Sequence, residues 1–68
     1  MAEKNITPLV TLKREELLVG SSYETNVKDL VIIKEINEIT GKMKLYNATE
    51  SCHQWVNIAN HRLIKKLR

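Results

Sequence analysis

The clearest signal in the chain is an apolar run followed, after a turn, by a segment in which Met43 and Leu45 alternate with Lys44 and Tyr46. Leu30, Val31, Ile32 and Ile33 are apolar and mostly β-branched, which is typical of a strand. After a turn that contains glycine, Ile39-Thr40-Gly41-Lys42, the side chains at 43, 45 and 47 alternate with those at 44, 46 and 48. The pattern predicts a β-hairpin over residues 30–48.

The first arm of this hairpin does not alternate cleanly. Val31 and Ile33 share one face of a strand, whereas Ile36 belongs to the other face. A β-bulge near Lys34 or Glu35 would return Ile36 to the face of Ile33. Because small barrels use such bulges to bend a long strand, the irregularity favours a curved sheet over a flat one.

A third strand follows the polar segment Asn47–Ser51. In the stretch CHQWVNIAN, Val56 and Ile58 share the inward face and Trp55 points outward. Asn60 suits a tight turn into the last segment. There the spacing of Leu63 and Leu67 fits either a short helix or a closing strand, and the period does not decide between them.

The N-terminal part is also open to two interpretations. Thr7 before Pro8 resembles a helix N-cap with proline in the first turn, and residues 11–18 are rich in helix formers that Gly20 could close. Leu9, Val10 and Leu12 could instead form a short edge strand. We predict an N-terminal arm or short helix over 1–18, and a single β domain over 19–68.

The predicted order of short strands in VGSSYETNVKDLVIIKEINEITGKMKLYNATESCHQWVNIANHRL resembles the SH3-like barrels of the Tudor and KOW type. The resemblance covers residues 19–68 and is one of architecture rather than of a diagnostic motif. It implies a mainly β fold, namely a small SH3-like antiparallel barrel that acts as a binding module.

Size and composition narrow the function classes. A chain of 68 residues forms one small domain with little room for a deep catalytic pocket. No segment reads as a secretory signal or a membrane span, and a single cysteine excludes an internal disulfide. We therefore expect a cytoplasmic protein without a membrane partner. The tail RLIKKLR holds four basic residues and no acidic one, so it carries a charge of +4. Because the net charge of the chain is +3, the first 61 residues sum to −1.

The residues that could carry chemistry do not form a catalytic or metal-binding pattern. Cys52 and His53 are adjacent and would point to opposite faces of a strand, and with His61 they supply fewer ligands than a structural zinc site needs. The simpler interpretation makes Cys52 a half-buried small residue and His61 a turn residue. Gly20 and Gly41 are isolated, so no phosphate-binding loop is present. We expect a non-enzyme without a cofactor or metal.

The outward-facing aromatic residues are the best candidates for a binding surface. Tyr46 would lie roughly across from Trp55, with Lys44 beside them and His53 on the same hairpin. Exposed rings flanked by cations suit base stacking or peptide contact. Alternatively, Leu9, Leu12 or Leu17 of the arm could cover the two rings.

The basic tail is the second candidate. Four cations could contact phosphates or an acidic partner: Arg62, Lys65, Lys66 and Arg68. They could equally protect a terminal strand from pairing with other molecules.

From these features we expect a non-catalytic binding or adaptor module that docks on another protein, as a small accessory or regulatory factor. The alternative is a small barrel that binds nucleic acid through the exposed aromatic residues and the basic C-terminus. Homo-oligomers formed by pairing of strand edges are a third option.

Overall fold

The computed structural model describes residues 10–68, which form one antiparallel β-sheet with no long helix among them. The strand order is β4-β3-β2-β1-β5, so β4 and β5 are the two edges. The strands are β1 (Ser22–Thr25), β2 (Leu30–Asn37), β3 (Lys42–Asn47), β4 (Cys52–Asn57) and β5 (Leu63–Lys66). Two 3-10 turns, Arg14–Glu16 and Ile58–Asn60, complete the described elements. The mainly β class predicted from the sequence is confirmed.

The alternation in the central hairpin matches the burial of its side chains. Val31 and Ile33 of β2, together with Met43 and Leu45 of β3, are all buried on one face of the sheet. The residues between them in β3 are less buried, as expected for a strand with one face on the core and one towards water. The inner face of the sheet therefore carries the hydrophobic core.

The bulge predicted in the first arm is present. The pairing of β2 with β3 shifts register between Ile33 and Glu35, so that Lys34 is the extra residue. Ile36 consequently packs against the core on the same face as Ile33. The bulge bends β2 and keeps its second half in contact with the core.

The turn between β2 and β3 is held by a side chain and by a glycine. Asn37 Oδ1 accepts hydrogen bonds from the backbone N–H groups of Ile39 (3.0 Å) and Thr40 (3.2 Å). Gly41 has a φ of +71°, in the left-handed region that other residues rarely occupy. The glycine-containing turn predicted here is thus the one that forms.

Residues 11–18 do not form the helix that was one of the two interpretations of the N-terminal part. Only the three residues Arg14–Glu16 form a helical turn, and it is of the 3-10 type. Leu17 leaves this turn and enters the core, where it is 1% exposed. Burying Leu17 requires an extended backbone at that position, which ends the helix. The predicted helix start at Thr7 and Pro8, and Leu9, lie outside the described residues.

Tyr23 fastens this segment to the sheet. Its ring is fully buried, and its hydroxyl donates to Glu16 O (2.7 Å) and accepts from Leu18 N–H (2.8 Å). The segment 10–20, which we call the arm, therefore packs into the same core as the strands.

The last segment forms a strand and not a helix. β5 pairs with β1, and Leu63 is buried opposite Thr25. Val56 and Ile58 are partly buried against the core, as their predicted inward orientation requires. In the part of the chain that the structure describes, no helix has the length and apolar character needed to cross a membrane.

Candidate functional site

The hairpin of β3 and β4 presents four of the predicted site residues on the outer face of the sheet, away from the core. Lys44 lies directly opposite Trp55, and Tyr46 lies directly opposite His53. The rings of Tyr46 and His53 are in contact, with centroids 5.0 Å apart and planes tilted by 59°. We call this set of four side chains (Lys44, Tyr46, His53, Trp55) the aromatic face.

The predicted pairing within the aromatic face is shifted by two positions. We expected Tyr46 to lie across from Trp55, which requires a turn centred between Glu50 and Ser51. The observed pairs place the centre of the turn one residue earlier, between Thr49 and Glu50. A shift of this kind moves every partner by two residues and leaves each side chain on its original face, so the surface is retained while its neighbours change.

The arm does not cover the aromatic face. Leu17 is part of the core cluster and Leu12 packs against that cluster, so both lie on the inner side of the sheet. Trp55 is 53% exposed, the largest apolar side chain left open to solvent on the described surface. The alternative in which Leu12 or Leu17 shields the two rings is wrong.

The basic tail lies at the other edge of the sheet. Lys65 is opposite Glu24 of β1 and Lys66 is opposite Tyr23, whereas Trp55 sits on β4, the far edge. Arg68 follows β5, and its N–H approaches Ser22 O at 3.4 Å. The two groups of predicted site residues therefore form separate surfaces, with β2 and β1 between them on the outer side.

The cysteine and the two histidines do not converge. Cys52 and His53 are exposed on neighbouring positions of β4, whereas His61 is buried between the arm and β5. We predicted a half-buried Cys52, but it is exposed. It is the first residue of β4, an edge strand, and little packs against it there. Within residues 10–68, no three side chains of His, Cys, Asp or Glu are grouped so as to hold a metal ion.

The sequence suggested that His61 is an ordinary turn residue, but the structure shows that its side chain is buried. It is 6% exposed and is hydrogen-bonded at both ring nitrogens. Leu63 N–H donates to Nδ1 (3.1 Å), so the proton of the neutral ring is on Nε2, which donates to Leu12 O (3.0 Å). Burial lowers the pKa of His61 below its usual 6.5, against an opposing effect of the hydrogen bond to Leu12 O. No local pattern around position 61 marks it as buried.

A cleft of about 190 Å³ opens on the inner side, between β4 and the start of β5. Val31, Leu45 and Leu63 form its apolar floor, and Arg62 lies at its rim together with several amide side chains. This volume is below the ~300 Å³ at which pockets for drug-sized ligands begin. A shallower depression of about 430 Å³ lies between the arm and Ile58–Asn60.

Asn47 lines one wall of the cleft. Its structural role was not predicted from the sequence. It is 2% exposed, its Nδ2 donates to Asp29 Oδ2 (3.0 Å), and its Oδ1 accepts from Glu50 N–H (2.8 Å). It therefore ties the β1–β2 turn to the β3–β4 turn.

A scan against protein-family models finds no matching family, and searches of curated proteins and of solved structures find no match either.

Proposed function

We propose that this chain is a non-catalytic protein-binding module, an SH3-like barrel in its architecture, that docks on another protein through the aromatic face. The architecture is supported by a five-stranded antiparallel sheet in which β1 pairs with both β2 and β5. The sheet is open, with β4 and β5 as its two edges, and the bulge at Lys34 gives the longest strand the kind of bend that small barrels use.

The observation that carries the proposal is the exposure of Trp55. A tryptophan buries a large apolar area on contact and is among the residues that most often dominate protein interfaces. This one is 53% exposed, in a chain that has only three aromatic residues other than histidine, and its neighbours Lys44 and His53 offer hydrogen-bond donors around it. A surface with an aromatic centre and a polar rim is the usual anatomy of a docking site.

The test is capture of partners from native lysate, treated with nuclease, on immobilised wild-type protein and on Trp55→Ala. Ile39→Ala is the matched control, because Ile39 is 96% exposed in the β2–β3 turn, outside the aromatic face. We expect one or more proteins that bind wild type and the control but not Trp55→Ala.

Direct titration with a captured protein then gives the loss of binding affinity that Trp55→Ala causes. Calorimetric titration measures the affinity of both wild type and Trp55→Ala, the latter of which has lost the only tryptophan of the chain and has no tryptophan fluorescence to follow. If Trp55 is an interface hot spot worth about 2 kcal/mol, Trp55→Ala weakens binding by roughly 30-fold. Equal capture by wild type and Trp55→Ala would contradict the proposal.

Nucleic-acid binding is the second candidate, and the cations beside the rings favour it. Lys44 is opposite Trp55, and Lys42 lies one outward position further along β3. Stacking of a base on an exposed aromatic ring contributes about 1–3 kcal/mol. It ranks second because the acidic side chains Glu24 and Glu35 lie on the strands that separate the aromatic face from the tail.

Oligonucleotides distinguish the two candidates. The protein is titrated into dye-labelled single- and double-stranded DNA and RNA at low and at moderate salt, with the fluorescence anisotropy of the oligonucleotide as the signal. Binding that falls steeply with salt and is lost in Trp55→Ala would support the second candidate. The absence of any binding at low salt would exclude it.

A further inference from the structure

The two edges of the sheet differ in how they are protected. β5 ends in Lys65 and Lys66, and its pairing with β1 is interrupted by a register shift. Lysines and bulges are the devices by which natural sheets prevent an edge from pairing with another molecule. β5 therefore carries the features of an edge that stays single.

β4 has neither device. Within residues 10–68 it pairs only with β3, and the six pairs run from Asn47↔Cys52 to Lys42↔Asn57 without a register shift. The strand CHQWVN contains no proline and no lysine, arginine, aspartate or glutamate. An edge that is regular and uncharged is a template for a further strand.

The register shows which backbone groups of β4 are free to pair. Ile58 N–H donates to Gly41 O (2.8 Å), one step beyond the pair Lys42↔Asn57. Because hydrogen-bonded and non-hydrogen-bonded pairs alternate along an antiparallel ladder, the backbone groups of Gln54 and Val56 also face β3. Those of His53, Trp55 and Asn57 then point outward from the edge.

We propose that β4 pairs with β4 of a second copy of this chain, antiparallel and about a two-fold axis, to make one continuous sheet. The register that satisfies all three outward residues sets Trp55 opposite Trp55 of the second copy and His53 opposite Asn57. A register centred on Gln54 would leave the groups of Asn57 unpaired. The proposed pairing also sets the two tryptophan rings side by side on the outer face, and cross-strand aromatic pairs stabilise a sheet.

Charge does not oppose this pairing. β4 itself is uncharged, and the nearest cation on the outer face is Lys44, on the neighbouring strand. Across the joined sheet the two copies of Lys44 are three strand spacings apart, about 14 Å. This separation exceeds the Debye length of about 8 Å at physiological salt, so their repulsion is largely screened.

The pairing goes beyond the proposed function and shares only the Trp55 side chain with it. It uses the backbone of β4 in the plane of the sheet, whereas the proposed docking uses the side chains of the aromatic face. A dimer would present two such faces side by side, and a monomer would still present one.

The experiment is the mass of the full chain in solution, measured by sedimentation equilibrium from micromolar to millimolar concentration. We expect the mass to rise from 7.9 kDa towards twice that value. Amide exchange at His53, Trp55 and Asn57 should slow as the dimer forms, while the fold is unchanged.

Two variants test the strand and the register. In Asn57→Pro, the native φ of −74° already suits proline, and the N–H that is lost points away from β3, so the monomer should keep its fold. In Trp55→Glu, the new carboxylate faces Lys44 within the monomer but faces its own copy in the dimer. Both variants should remain monomeric at concentrations where wild type is a dimer. Ile39→Glu carries the same charge change in the β2–β3 turn and should dimerise like wild type.

Three results would overturn the pairing. Wild type could remain at the monomer mass at millimolar concentration. Folded Asn57→Pro and Trp55→Glu could dimerise like wild type, which would place the contact elsewhere. A limiting mass of three or more copies would indicate head-to-tail pairing of β4 with β5. None of these results would affect capture of a different protein through Trp55, so failure of the pairing and failure of the proposed function are distinguishable.

Discussion

At the scale of single residues, His61 connects parts of the chain that are far apart in sequence. Its Nε2–H donates to Leu12 O in the arm, while its Nδ1 accepts from Leu63 N–H at the start of β5. Leu12 N–H in turn donates to Leu63 O (2.9 Å). A protonated ring would have no acceptor for Leu63 N–H, so this arrangement requires the neutral form.

The neutral state of His61 makes stability depend on pH. Because its pKa in the folded state lies below 6.5, the unfolded chain binds more protons in the window between the two values. The stabilisation is therefore fully present above about pH 6.5 and is lost as pH falls through the lower, folded-state pKa. Thermal melts between pH 7.5 and pH 5 should show wild type losing stability as pH falls, and His61→Gln losing less.

His53→Gln is the matched control for this prediction. His53 is exposed on β4 and contacts only the ring of Tyr46 among the described aromatic residues. The control should keep the wild-type slope of melting temperature against pH. The same slope in His61→Gln as in wild type would show that His61 is not the titrating group.

At the scale of elements, the β2–β3 hairpin depends on one residue with positive φ. An added Cβ at Gly41 would meet no atom within 4 Å, so the cost of a substitution is that of the backbone conformation alone. The Asn37 side chain already satisfies two N–H groups of the same turn, which holds the loop in this shape. The conformation is thus imposed by the turn and not by packing.

Gly41→Ala should therefore destabilise the protein by about 1–2 kcal/mol, because alanine disfavours the left-handed region. Gly41→Asn should cost less, since asparagine tolerates that region better than other residues. Urea unfolding measures both values. Equal stability of Gly41→Ala and wild type would mean that the turn relaxes to another conformation.

At the scale of the whole molecule, the arm completes a core that the sheet alone leaves open. Leu17 is 1% exposed among side chains of β1, β2, β3 and β5, and the arm is fastened by the buried hydroxyl of Tyr23. An ion pair between Arg14 and Glu38 joins the arm to the β2–β3 turn at the surface, where such pairs contribute little. The burial of Leu17 therefore contributes far more to holding the arm on the sheet than this ion pair does.

Leu17→Ala should remove about 2–5 kcal/mol, the usual cost of truncating a buried leucine. For a chain of 68 residues the total stability is roughly 3–10 kcal/mol, so this variant should melt far below wild type or fail to fold. Leu18→Ala, at a neighbouring position that is 49% exposed, should change stability by no more than about 0.5 kcal/mol. Equal effects of the two substitutions would contradict the assigned role of Leu17.

Features that depend on consecutive residues could be predicted from the amino-acid sequence alone. The alternation of Met43 and Leu45 with Lys44 and Tyr46 indicates which face of β3 is buried, and the misplaced Ile36 predicts a bulge at Lys34 or Glu35, which the structure has at Lys34. Both follow from the two-residue period of a strand with one face on the core, and that period can be read without knowing any partner.

The way in which separate segments meet could be seen only in the folded chain. The turn between β3 and β4 is centred one residue earlier than expected, which pairs Trp55 with Lys44 instead of Tyr46. The pairing of β5 with β1 sends the basic tail to the edge opposite Trp55. The burial of Leu17 and His61 depends on the arm crossing the inner face. Each of these outcomes is a contact between residues far apart in the chain, and local periodicity carries no information about such contacts.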